Sequence, residues 1–202
     1  MLLLHGKTGA GKTILFSNAT EFLDQAKGST KEIAVAFFYC TCENNTSQEP
    51  TSILGSYLVQ LLTSSPQLYK RNESTLRDRV PKTVSELLEL LERCCQSFKE
   101  VYLCLDALNE NLWGQEIVKV FNRLIRDMDN IYIFVTSNRT NVSGNTDIRK
   151  VVKLVTFNPQ AQLLDFDMYI AARVAASPIL TSLSEDLQNS ISKTLLRDSD
   201  GM

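Results

Sequence analysis

Apolar runs of strand length alternate along the chain with stretches whose apolar residues recur at helical spacing, a pattern that predicts a parallel sheet covered by helices. Strands are expected at Leu2–His5, Ile33–Tyr39, Val101–Leu105, Ile131–Val135 and Val151–Val155. Most of these runs are apolar without interruption, the mark of strands buried on both faces. Between them, Leu54, Tyr57, Leu58, Leu61 and Leu62 form a helical stripe behind Pro50, a residue suited to a first turn. Thr83-Val84-Ser85-Glu86 has the form of a capping box, and Leu87, Leu88, Leu91, Cys95 and Phe98 continue it as one apolar face. Ile117, Phe121, Leu124, Ile125 and Met128 make a third helix. The polar stretch from Tyr69 to Arg79 is expected to be a solvated connector.

After Pro159 the periodicity becomes helical throughout. Leu163, Phe166, Ile170 and Val174 form one stripe, and Leu183, Leu187, Ile191 and Leu195 form another behind a second possible capping box, Ser182 to Glu185. The expected division is therefore a core over residues 1–158 and a helical segment over 159–202.

Composition narrows the class. The 202 residues are 44% hydrophobic and 22% charged, as in an ordinary folded domain. A formal charge of -2 provides no basic field to hold a phosphate backbone, so no nucleic-acid partner is expected. No run reaches the 18 or so apolar residues that a membrane helix needs, so no membrane partner is expected and a cytoplasmic location is. Cys40, Cys42, Cys94, Cys95 and Cys104 lack the spacing of a zinc site and are expected to be reduced core residues. The N-x-[ST] matches at Asn18-Ala19-Thr20 and Asn141-Val142-Ser143 carry meaning only in a secreted chain.

The strong motif is Gly6-Lys7-Thr8-Gly9-Ala10-Gly11-Lys12-Thr13, a full G-x-x-x-x-G-K-[ST] phosphate loop between an apolar strand and a helix carrying Ile14, Leu15, Phe16 and Phe22. Glycines let backbone N–H groups turn inward around phosphate oxygens, and the helix N-terminus adds partial positive charge. Lys12 is the expected partner of the β- and γ-phosphates, and Thr13 of Mg²⁺. The matching carboxylate is Asp106, placed at the end of the Val101–Leu105 strand; Glu110 is the candidate general base for an attacking water. Thr136-Ser137-Asn138-Arg139 closes another strand, where Arg139 is the candidate to stabilise γ-phosphate charge. ATP (or dATP) is preferred over GTP because no [NT]-K-x-D sequence occurs.

These residues resemble the NACHT class of STAND signal-transducing P-loop NTPases, and most closely the fungal nephrocystin-like N-terminal NTPase domains. The resemblance rests on Leu3 to Thr13, Phe37-Phe38-Tyr39, Leu105-Asp106-Ala107-Leu108-Asn109-Glu110 and Phe134 to Arg139. It extends through Asp167-Met168-Tyr169-Ile170 to Asp200-Gly201-Met202. It implies a three-layer α/β fold with a five-stranded, mostly parallel sheet in which the Arg139 strand separates the Asp106 strand from the phosphate-loop strand. It also implies an ATP-driven signalling switch, of the kind used in fungal innate immunity or cell death, with self-association or other domains of a longer parent as partners. Residues 159–202 would be the start of a helical lid cut short before a winged-helix module. Where the family usually has Asp-Glu this chain has Asn109-Glu110, so a weak ATPase is expected and Asn109→Asp should raise turnover. Its usual Thr-Ser-Arg is here Thr136-Ser137-Asn138-Arg139, one residue longer. Two rival readings are a small-molecule kinase-like phosphotransferase and a degenerate interaction module.

Overall fold

The computed structural model describes residues 1–27, 32–41, 48–78, 80–139, 153–156 and 159–198. Five strands, β1 (Leu2–His5), β2 (Ile33–Tyr39), β3 (Glu100–Asp106), β4 (Ile131–Ser137) and β5 (Lys153–Thr156), form one sheet in the order β2-β3-β4-β1-β5. The β1–β4, β2–β3 and β3–β4 pairs are parallel. β4 therefore lies between the Asp106 strand and the phosphate-loop strand, as the resemblance implies. The expected strand residues Val151 and Val152 lie outside the described residues, as do Arg79, Cys42, Asn141-Val142-Ser143 and Asp200-Gly201-Met202.

The helices are α1 (Lys12–Ala26), α2 (Pro50–Ser64), α3 (Pro66–Asp78), α4 (Val84–Cys95), α5 (Gly114–Asp127), α6 (Pro159–Ala176), α7 (Pro178–Thr181) and α8 (Glu185–Asp198). By compactness, residues 1–5 and 12–155 form one unit and residues 6–11 and 156–202 another.

In the first unit the core is built from Ala34, Ala36, Val101, Leu103, Leu105, Ile133 and Val135 of the sheet against α2, α4 and α5. Leu54, Leu61, Leu91 and Leu124 are at most 2% exposed, each such side chain contributing about 1.5–3 kcal/mol of burial. Tyr57 reaches through this layer to donate its hydroxyl to the Cys104 carbonyl at 3.0 Å, which satisfies a phenol that would otherwise be buried unpaired. Burial pushes that phenol far above its ordinary range. At the sheet edge, the Gln60 amide accepts from the Phe37 N–H at 3.0 Å and donates to the Phe37 carbonyl at 2.8 Å. A side chain thus takes the place of a missing neighbour strand.

The opposite face corrects one expectation. The strands are not buried on both sides: Tyr132 and Phe37 are exposed, and Tyr102 stacks on Tyr132 with ring centroids 5.1 Å apart. Of the apolar residues that α1 carries, Phe16 is buried, stacked on Phe134 and edge-on to Tyr39, whereas Ile14, Leu15 and Phe22 are exposed. The physical reason is coverage, since α1 lies on β2, β3 and β4 while a groove of about 660 Å³, lined by Leu15, Phe22, Tyr102 and Tyr132, stays open beside it.

Residues 69–78 also depart from the expected connector, because they belong to α3. Its composition is polar, but Leu68 is buried and Leu76 packs against the core. Arg77 pairs with Glu73 one turn back at 2.8 Å. One buried edge and an i,i+4 ion pair are enough to hold the segment in a helix once its partners are present.

The capping box of α4 is present in full. Thr83 Oγ1 accepts from Glu86 N–H at 3.3 Å and the Glu86 carboxylate accepts from Thr83 N–H at 3.2 Å. Its counterpart at Ser182 is not, because Ser182 closes α7 instead, its hydroxyl donating to the Ile179 carbonyl at 2.7 Å. In the second unit α6 packs on α7 and α8. Ile170 is buried there, whereas Leu164, Met168, Ile179 and Leu187 are exposed.

Candidate functional site

The phosphate loop joins β1 to α1. Gly9 and Gly11 have φ of 80° and 82°, left-handed conformations that cost a side-chain-bearing residue about 1–2 kcal/mol. A Cβ at Gly11 would meet no atom within 4 Å, so the backbone angle rather than space calls for glycine there. Between them, the Ala10 N–H donates to the Lys7 carbonyl at 3.3 Å. Lys12 and Thr13 then open α1, where the first N–H groups of the helix have no intrahelical acceptor.

Thr13 and Asp106, 93 positions apart in sequence, meet directly: Thr13 Oγ1 donates to Asp106 Oδ2 at 2.8 Å. Asp106 is 3% exposed, and its other oxygen, Oδ1, accepts a short hydrogen bond from Thr136 Oγ1. Thr136 is itself fixed, accepting from the Ala107 N–H at 2.8 Å. A buried carboxylate that keeps both oxygens engaged in this way is held in one orientation.

Lys12 is within electrostatic reach of this centre. Burial lowers its pKa, and the Asp106 and Glu110 carboxylates pull it back up. The structure thereby brings Lys12, Thr13, Asp106 and Glu110 into one neighbourhood. Glu110 itself is exposed, at the end of a 3-10 turn (Leu108–Glu110) whose entry residue, Ala107, has φ 56° and ψ 45°. Arg139 is exposed too; with Asn109, Ser137 and Gly114 it lines a cavity of about 330 Å³ at the start of α5. Its backbone N–H donates to Ser137 Oγ at 3.0 Å.

Four features were not anticipated from the residues. Thr136 donates to the Asp106 carboxylate. Asn109 accepts the Asn138 N–H at 2.8 Å, and His5 Nε2 lies 3.1 Å from the Asn138 carbonyl. Asn111 is buried and donates to the Gln48 carbonyl at 2.9 Å and to Cys40 Sγ at 3.6 Å, while accepting from the Trp113 N–H at 2.7 Å. Cys40, beside Asp106, is pushed up to about 11 by burial, with the Asn111 hydrogen bond acting against it. A polar residue ending an apolar strand was the available signal for Thr136; side-chain-to-backbone bonds between distant turns leave none.

The donor set suits a small hard cation. Thr13 Oγ1 and Asp106 Oδ2 are adjacent oxygens, one hydroxyl and one carboxylate, the kind of partial set that Mg²⁺ takes when phosphates and water complete its shell. Among the described residues no group of three or more His, Cys, Asp or Glu side chains could hold a metal alone. Among the same residues no helix is long and apolar enough to cross a membrane.

A mainly parallel sheet with a phosphate loop between its first strand and first helix, and the Thr13–Asp106 pair beneath that helix's start, defines a P-loop NTPase domain. The chain belongs to the family described as nephrocystin 3, N-terminal, whose model matches residues 1–138. Among solved structures it is similar to the Walker-type ATPase paby2304 of Pyrococcus abyssi, with 13% identity, a TM-score of 0.50, 96% of this chain covered and 57% of that one. That likeness bears on the fold. The Drosophila ORC bound to AT-rich DNA and Cdc6 matches at 12% identity and TM-score 0.49, over 98% of this chain and 74% of that one. The Aeropyrum pernix ORC1 protein in complex with DNA matches at 17% and 0.47, over 86% and 48%. No curated protein matches significantly.

Proposed function

We propose that this domain is an ATP-binding, slowly hydrolysing switch of the NACHT/STAND type, working in signal transduction. The observation that carries the reading is the 2.8 Å contact of Asp106 with Thr13, the last residue of a complete phosphate-loop motif. A structural serine or threonine at a helix start has no need of a buried carboxylate from a distant strand.

In this reading the N–H groups of residues 6–13 cradle the phosphates, with Lys12 adding a point charge toward the β- and γ-phosphates. Thr13 and Asp106 would hold Mg²⁺, which would neutralise charge on the phosphate oxygens. Glu110 takes the proton of a water that attacks the γ-phosphorus as its bond to the β,γ-bridging oxygen breaks and the nucleoside diphosphate leaves, and Arg139 faces charge on the γ-phosphate. The formal charge of -2 is the support for leaving nucleic acid out; the partners are the nucleotide and a second copy or another domain. Residues 159–202 are assigned to a helical lid segment, and the compartment is proposed as cytoplasmic.

Thermal melting with Mg-ATP tests the site. At 100 times Kd, binding adds about 2.7 kcal/mol, which at this size is about 5 to 11 °C. Lys12→Ala should leave the melting temperature without nucleotide unchanged and abolish the shift. A shift that survives the substitution, or its absence from the unmutated protein, would refute the assignment.

A further inference from the structure

The backbone of Asn138, just past the end of β4, is held from two sides by side chains of other segments. The Asn109 amide oxygen accepts its N–H at 2.8 Å. His5 Nε2 lies 3.1 Å from its carbonyl oxygen, and because a carbonyl only accepts, that nitrogen carries the ring proton. Asn109 belongs to the turn after Asp106, and His5 is the last residue of β1. The tip of β4 is thereby tied both to the carboxylate turn and to the strand that leads into the phosphate loop. The following peptide is fixed as well, Arg139 N–H donating to Ser137 Oγ.

We infer that Asn109 is a positioning residue: by holding the Asn138 N–H, its side-chain oxygen sets where the Arg139 guanidinium stands in the cavity the two residues share. The consequence for turnover rests on the ATP-switch reading above; the clamp itself does not. What the geometry requires at position 109 is an acceptor oxygen aimed at one backbone N–H. Asparagine supplies it without adding a third carboxylate to the short segment that already holds Asp106 and Glu110. Asparagine is then the residue this turn uses, not an acid that has been lost, and restoring aspartate is expected to preserve turnover rather than raise it.

Hydrogen exchange at the Asn138 amide, measured without nucleotide, reads the clamp directly. It is combined with the Kd for Mg-ATP and with kcat and KM for hydrolysis in Asn109→Ala and Asn109→Asp. Loss of one hydrogen bond should speed that exchange about tenfold in the alanine variant. It should also lower kcat about tenfold with KM within about twofold, since the misplaced group faces the γ-phosphate and not the bulk of the nucleotide. Aspartate should bring exchange and kcat back to within about threefold. Should alanine fail to fold, Asn109→Ser, too short to reach Asn138, takes its place. Unchanged exchange overturns the clamp. Faster exchange with unchanged kcat overturns the positioning role, as does an equal loss in the aspartate variant. If the unmutated protein does not bind Mg-ATP, the switch reading falls and the effect on turnover with it, while the exchange result still decides the clamp.

Discussion

Ala107 links Asp106 to the turn that carries Asn109 and Glu110, and it does so with φ 56°, the only positive φ outside glycine among the described residues. An L-residue in that region costs about 1–2 kcal/mol, against the 0.5–1 kcal/mol of backbone entropy that glycine would lose on folding. Ala107→Gly should therefore stabilise the protein by about 0.5 to 1 kcal/mol, seen as a higher denaturant midpoint at unchanged slope; a lower midpoint would show that the alanine methyl packs usefully. The residue types for phosphate and metal chemistry were legible at this scale because their spacing is local: Gly6 to Thr13 is one continuous motif, and Asp106 ends an apolar run. The contributions of Thr136, Asn109 and His5 were not, since each depends on a hydrogen bond across 29 to 133 positions, which periodicity does not encode.

Among the elements, α4 and α3 mark the two extremes. The start of α4 could be read from four residues, since Thr83 and Glu86 satisfy each other's backbone N–H groups without help from elsewhere. Thr83→Ala should cost about 1 kcal/mol, measured by chemical unfolding, and a change within about 0.2 kcal/mol would mean that Glu86 alone caps the helix. The stretch from Tyr69 to Arg79 reads as a connector because Lys70, Arg71, Glu73, Arg77 and Asp78 make it polar. Its helix depends on Leu68 and Leu76 finding the core, and that is decided by tertiary contact. The exposure of Ile14, Leu15 and Phe22 has the same origin: an apolar pattern specifies a face that could be covered, and neighbouring elements decide whether it is.

Across the whole molecule, burial leaves a thermodynamic mark on the thiols. Cys40 and Cys94 are pushed up to about 11, Cys95 and Cys104 to about 12, in each case first by burial. Above the ordinary thiol value of 9.0 the unfolded chain loses these protons while the folded one keeps them. Stability is thus fully present below pH 9 and falls as pH rises toward 11 and 12, by about 1.4 kcal/mol per pH unit for each such thiol. Melting temperature should be level between pH 7 and 8.5 and decline above 9. In a Cys42→Ser background, a disulfide reagent at pH 8.5 should leave the folded protein unmodified; prompt reaction of any of the four would contradict their burial.

The place of β1 in the sheet also bears on synthesis. Leu2 to His5 pair with Phe134 to Ser137, and the His5–Asn138 bond closes a separation of 133 residues. At about 5 to 20 residues per second, the ribosome needs about 7 to 27 s to deliver β4 after β1 has been made. Through that interval β2 and β3, already adjacent in the final sheet, can pair with each other, but Leu2, Leu3 and Leu4 have no strand to receive them. The segment that leads into the phosphate loop is therefore made well before the strand that receives it, and its apolar residues wait unpaired until β4 arrives.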